Sequence, residues 1–370
     1  MNLDAYNKEV YTLLKELCAI PAPSHHEEKR AEYCKTYFDK LGFDRVYIDD
    51  AKNVVCEWNC EGSNALTVFA AHTDTVFPDT EPMPYYEKDG KAFCPGIGDD
   101  TACVAILMVA AKYMKANCEK SKNGLLFVCN SCEEGLGNLK GTRALMEEYK
   151  GRIARFISFD SNLDTIYNAC VGSHRYSVEV KTEGGHSFES FGKENAIARL
   201  AEIVGRIYEI EVPKAEGTKT TYNVGIIEGG TSVNTIAQSA KMLCEYRSDN
   251  VDCLDYMQKR FEKIFEEANT EKVKVEVTKV GDRPCAKNVD PAALAELTNA
   301  CCEIIEKKIG KPLNIHAAST DCNAPMSIGI PSVAIGCYTG DLCHTREEWI
   351  ELDSLVTGLE VAIDLMKLFS

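Results

Sequence analysis

The stretch between residues 65 and 130 constrains the fold most. Two short apolar runs, ALTVFAA (65–71) and LLFVCN (125–130), flank TACVAILMVAAKYMKA (101–116), which is apolar on nearly every side. A helix without a polar face must be enclosed. Two apolar strands joined by such a helix pair in parallel, with the helix crossing over them. RFISF (155–159) and PSVAIG (331–336) have the same strand character, and residues 291–308 and 351–369 form amphipathic helical patterns. The expectation is an α/β domain: a mixed, mostly parallel sheet sandwiched by helices.

The middle of the chain has a different rhythm. RYSVEVKT, ENAIARLAEIVGRIYEI, TTYNVGIIEG, AKMLCEYRS, VDCLDYMQKRFEKIFEEA and VKVEVTKV follow one another as β-α-β-β-α-β. That order predicts a ferredoxin-like α+β domain over 173–283, inserted between catalytic-domain segments 1–172 and 284–370. Its strands alternate apolar and polar residues, so helices should cover one face only.

A net charge of −16 repels phosphate and excludes nucleic acid and anionic membrane surfaces as partners. Residues 1–20 carry charges every few positions and read as an amphipathic helix, not a signal peptide. No apolar run approaches the roughly 20 residues that span a bilayer. The eighteen cysteines are scattered, not spaced as a disulfide framework. Reduced thiols and a cytoplasmic location are therefore expected. Cys129 and Cys132 form a lone C-x-x-C, whereas a structural zinc wants two such pairs. Ser24, three residues before Glu27, predicts a capping box that leaves His25 and His26 exposed in a first helical turn.

Acids and histidines recur just past the apolar strands: His72 and Asp74 in AAHTDTV, Asp99 and Asp100 in GIGDDTA, Glu133 and Glu134 in SCEEGLG, Asp160 in FISFD, and His344 in DLCHTREEW. The i, i+2 spacing of His72 and Asp74 suits an imidazole ligand and a carboxylate that fixes its tautomer. Asp99 or Asp100 can equally cap the buried helix. Glu133 and Glu134 repel each other unless a cation lies near. Taken singly, each is as well read as a solvated loop residue. Together they lie beyond the carboxyl ends of strands in one sheet, where open α/β sheets bind ligands. Two divalent ions would account for the convergence and leave one acid to move protons.

The ordered set AHTDTV, GIGDD, CEEGLG, FISFD and TGDLCHTREEWI resembles the co-catalytic dizinc exopeptidases of the peptidase T (tripeptide aminopeptidase) type. Their wider group includes aminoacylase, succinyl-diaminopimelate desuccinylase and glutamate carboxypeptidase. The resemblance spans nearly the whole chain. It implies two zinc ions per subunit, with manganese or cobalt as alternatives. Asp99 would bridge them, His72 and Asp160 would complete one site, and Glu134 and His344 the other. It further implies Asp74 orienting His72, Glu133 as general base and acid, and His186 in EGGHSF over the substrate carbonyl. Asn234 and Arg247 would contact substrate, the Asp99–Asp100 peptide would be cis, and the inserted domain would act as lid and homodimer surface. The implied reaction is hydrolysis of short peptides, with an amidohydrolase or carboxypeptidase acting on N-acyl amino acids or dipeptides as the alternative. Two departures stand out. Thr101-Ala102 replace the common Lys-Gly, and AASTDCN (317–323) replaces Gly-Gly-Thr-Asp-Gly.

Overall fold

The apolar runs form the centre of an eight-stranded sheet in the computed structural model, which describes residues 3–118 and 123–370. In spatial order the strands are Arg45–Ile48, Val54–Trp58, Leu125–Asn130, Leu66–His72, Ile153–Phe159, Ser332–Ile335, Thr165–Cys170 and Asn314–Ala318. Leu66–His72 runs parallel to both neighbours, and Ser332–Ile335 runs parallel to Ile153–Phe159. Antiparallel pairings lie toward the edges: Arg45–Ile48 with Val54–Trp58, Val54–Trp58 with Leu125–Asn130, and Ser332–Ile335 with Thr165–Cys170. The sheet is thus mixed and mostly parallel, as expected.

Every residue of Leu66–His72 and Leu125–Asn130 is buried, which explains why these strands are apolar without alternation. Phe69, Ala71, Phe127, Ile157 and Phe159 join one core with helices Asp4–Cys18, Cys103–Asn117, Pro291–Ile309 and Ser354–Leu368. Val68, Ala70, Leu126, Val128 and Phe156 are equally buried on the other face. Helix Cys103–Asn117 buries all of Cys103–Ala111, as its uniformly apolar sequence requires. A small four-stranded sheet, Gly340–Asp341, Trp349–Glu351, Lys91–Phe93 and Tyr86–Lys88 in spatial order, was not apparent in the sequence.

The chain divides into two compact units, Met1–Cys170 with Lys287–Ser370, and Val171–Ala286. The second contains strands Gly172–Lys181, Thr220–Gly229, Ser239–Ser248 and Lys274–Arg283 with helices Ala196–Tyr208 and Val251–Ala268. Its sheet is antiparallel, in the order second, third, first, fourth strand. Val178, Val180, Met242 and Tyr246 pack against Leu200, Ile203, Met257 and Phe261 of the two helices.

The capping box is not formed. Helix Glu28–Asp39 begins without a side-chain cap. The Ser24 hydroxyl instead donates to Asp74, and Glu27 is fully buried. His25 and His26 are exposed, in a turn that precedes the helix. All eighteen cysteines are free, Cys129 and Cys132 buried among them. Among the described residues no helix is long and apolar enough to cross a membrane.

Candidate active site

Strand Leu66–His72 ends on a buried imidazole, and the turn after Gly96 carries Asp99 toward it. His72 Nε2 lies 2.9 Å from Asp99 Oδ1, and His344 Nε2 lies 3.0 Å from Asp99 Oδ2 and 3.1 Å from Glu134 Oε1. The Asp99 carboxylate therefore presents one oxygen to each histidine, although 245 residues separate it from His344. One ligand atom from each of His72, Asp99 and Glu134 falls within a 4.8 Å group. The peptide between Asp99 and Asp100 is cis, as the resemblance implied.

Asp74 lies against the Nδ1 side of His72, and its main chain comes nearer than its carboxylate. His72 Nδ1 is 3.0 Å from the main-chain oxygen of Asp74 and 3.5 Å from its carboxylate. The fully buried carboxylate also accepts the amides of Glu133 (2.9 Å) and Glu134 (3.0 Å) and the Ser24 hydroxyl (2.6 Å). Next to it, Glu27 accepts the Cys132 amide at 3.2 Å. Two buried acids thus grip three consecutive amides of the loop that carries Glu133 and Glu134. Cys132 in that loop, and His344 in its own, have left-handed backbones with φ of 56° and 65°.

Asp100 does not cap the helix it opens. One of its oxygens accepts the His72 amide at 2.9 Å. The acid that does bind this turn is Glu348, which the sequence reading passed over. Its buried carboxylate accepts the amides of Gly96, Gly98 and Asp99 at 2.6, 2.8 and 2.9 Å. Asp321, also missed, is fully buried and bonded by Asn130 at 2.5 Å and by Thr142. Its only sequence signal was its place in AASTDCN.

Burial dominates the electrostatics of the acids, and crowding of like charge reinforces it. Burial and the Asp99 charge push Glu134 up to about 7. Burial and Asp99 raise Asp160 well above the carboxylate range, with Glu133 and Asp321 adding to the effect. Burial and Glu133 push Asp321 up to about 7. Hydrogen bonds to Asp99 and Glu134 push His344 up to about 11. Burial would lower His72, but Asp100, Asp74 and Asp99 outweigh it and raise this imidazole too. Asp74, Asp99, Asp100 and Glu134 thus bear on two imidazoles, and Glu133, Asp160 and Asp321 crowd the same acids, an arrangement that a divalent cation would relieve.

His186, Asn234 and Arg247 belong to the second unit. There His186 pairs in register with Thr235, and the Ser187 amide donates to the Asn234 carbonyl at 2.9 Å, so His186 and Asn234 sit side by side. Arg247 is not simply solvated at its strand end. Its Nε and Nη2 donate to Glu245 at 2.8 and 3.1 Å.

Residues 68–368 match the peptidase family M20/M25/M40. The chain is 26% identical over 384 residues to the uncharacterized protein YqjE of Bacillus subtilis, covering 95% of this chain and 96% of that one. It is 28% identical over 254 residues to acetylornithine deacetylase of Myxococcus xanthus, covering 63% of this chain and 65% of that one. A tripeptidase from Staphylococcus aureus has the same fold, with a TM-score of 0.77, 22% identity and 98% of each chain covered.

Proposed function

The chain belongs to peptidase family M20/M25/M40, and from that premise we propose that it hydrolyses short peptides of the tripeptide class with two divalent metal ions. The observation that carries this reading is the Asp99 carboxylate, whose two oxygens each meet a different imidazole at 2.9 and 3.0 Å. Carboxylate oxygen and imidazole nitrogen suit zinc, and manganese or cobalt as alternatives. His72 and Asp160 would hold one ion, Glu134 and His344 the other, and Asp99 would bridge them. Ions bound there would lower the pKa of a water and polarise the scissile carbonyl.

The chain's own residues do the rest. Glu133 takes the proton from the attacking water and passes it to the leaving amine. Asp74 fixes the backbone of Glu133 and Glu134, and so aims both carboxylates. His186 donates to the developing oxyanion. Asn234 contacts substrate, and Arg247 binds a substrate carboxylate through the guanidinium hydrogens that Glu245 leaves over. The second unit serves as lid and as the pairing surface of a homodimer, and the enzyme works in the cytoplasm.

The test is a panel of dipeptides and tripeptides, free and N-acetylated, assayed after chelation with and without added zinc. Free tripeptides should be cleaved only in the presence of metal. A second reading, deacylation of N-acyl amino acids, is favoured by the 28% identity to acetylornithine deacetylase. Cleavage of acylated substrates alone would replace the first reading with the second. No metal-dependent cleavage anywhere on the panel would remove both.

A further inference from the structure

We propose that Glu348 is a positioning residue, one that presets Asp99 and His344 for metal without itself touching the ion. The inference rests on the metal-binding reading above and adds to it a residue that is neither ligand nor base. Three contacts carry it. Glu348 Oε2 accepts the Gly96 amide, and Oε1 accepts the amides of both Gly98 and Asp99, all within 2.9 Å. The backbone of Glu348 joins in, since its carbonyl accepts the Cys94 amide at 3.2 Å. The next residues, Trp349–Glu351, then pair antiparallel with Lys91–Phe93.

Glu348 lies four residues after His344 in the chain and hydrogen-bonds to the main chain of Asp99. One side chain therefore ties together the two loops whose ends must meet at an ion. The Asp99 turn has its own bonds, from Ile97 N to the Cys94 carbonyl and from Thr101 to the Gly96 carbonyl, but none of these reaches the His344 loop. Gly96 is left-handed at φ 74°, and a Cβ there would fall 2.6 Å from the Thr75 side chain. The turn also leads straight into helix Cys103–Asn117, so its amides are donors that need an acceptor. A carboxylate supplies one to three of them at once. A carboxamide cannot, because its NH2 would face an N–H.

The cost of losing such a partner is read in metal affinity. Removing a group that holds a ligand in place typically weakens binding about 10–100-fold. The experiment is a competitive-chelator titration of zinc into full-length Glu348→Gln, Glu348→Asp and Glu347→Gln proteins, together with thermal melts of the chelated chains. Glu347 is the exposed neighbour, of the same charge but a different place. Zinc affinity should fall about 10–100-fold for Glu348→Gln, less for Glu348→Asp, and not at all for Glu347→Gln. If Glu348→Gln does not fold, the shortened Glu348→Asp carries the same reading. A lower melting point with unchanged zinc affinity would make Glu348 merely structural and overturn the proposal. Equal weakening by Glu347→Gln would make the effect one of net charge and overturn it as well. If the unaltered chain binds no divalent cation, the metal reading itself has failed.

Discussion

Replacing Asp74 by Asn separates two roles that the H-x-D pattern had merged. If the carboxylate existed to fix the His72 tautomer, Asn would act through His72. The nearer acceptor of His72 Nδ1 is the Asp74 main-chain oxygen, at 3.0 Å, and that oxygen survives the substitution. What Asn removes is the anchor of the Glu133–Glu134 loop. The carboxylate receives two amides and one hydroxyl at 2.6–3.0 Å in a fully buried position. An Asn oxygen can keep one amide as a neutral bond, which forfeits about 1 kcal/mol of charge assistance, and its NH2 leaves the other amide unsatisfied at about 1–3 kcal/mol. The expected loss is about 2–4 kcal/mol, or roughly 5–15 °C in the melting of a unit this size. The assay is urea unfolding of chelated Asp74→Asn and parent proteins at pH 7. A loss smaller than about 0.5 kcal/mol, the range of ordinary surface changes, would refute the anchoring argument.

Other outcomes follow from the same geometry. Glu133→Ala should retain its metal but lose at least about 100-fold in kcat, the scale of one general base; a zinc-loaded variant with full activity would contradict that role. In the metal-free chain His344 is pushed up to about 11 by Asp99 and Glu134, so it is protonated at pH 7, and an ion can reach Nε2 only by displacing that proton. Zinc affinity should therefore fall as pH falls through the neutral range, with protons released on binding; a binding heat independent of buffer ionisation would count against it. A Cβ at Gly358 would lie 1.8 Å from the Cys337 carbonyl, whereas at Gly205, inside a helix, it would meet nothing within 4 Å. Gly358→Ala should thus cost about 3 kcal/mol and Gly205→Ala should stabilise by about 0.5–1 kcal/mol; urea unfolding that gave the reverse order would show the local packing to be misjudged.

What was readable in the chain was what burial writes into it. Strands enclosed on both faces, such as Leu66–His72, can hold only apolar residues, and helix Cys103–Asn117 shows the same imprint on every side. The edge strand Asn314–Ala318 is largely exposed, so nothing in NIHAA set it apart from a loop. The acids at strand ends were visible because charge next to an apolar run is conspicuous. Glu348 and Asp321 were not. Each is held by amides, a hydroxyl or a carboxamide remote in sequence, and such bonds leave no periodicity behind. Ser24 shows the converse error: three residues before Glu27 is the spacing of a local cap, yet its hydroxyl is committed to Asp74, 50 residues away.

The strand Ser332–Ile335 lies between Ile153–Phe159 and Thr165–Cys170, so the sheet is completed from the inside by a segment synthesised well after both of its neighbours. A nascent chain that stops short of it exposes both flanking strands, and it also lacks His344. Under the proposed ligand set, growth on the ribosome and metal acquisition are put in sequence, because an unfinished polypeptide would offer an ion only part of its cage. Truncation ahead of Ser332 should accordingly abolish the whole first unit and not trim it, since the missing piece is a keystone and not a margin.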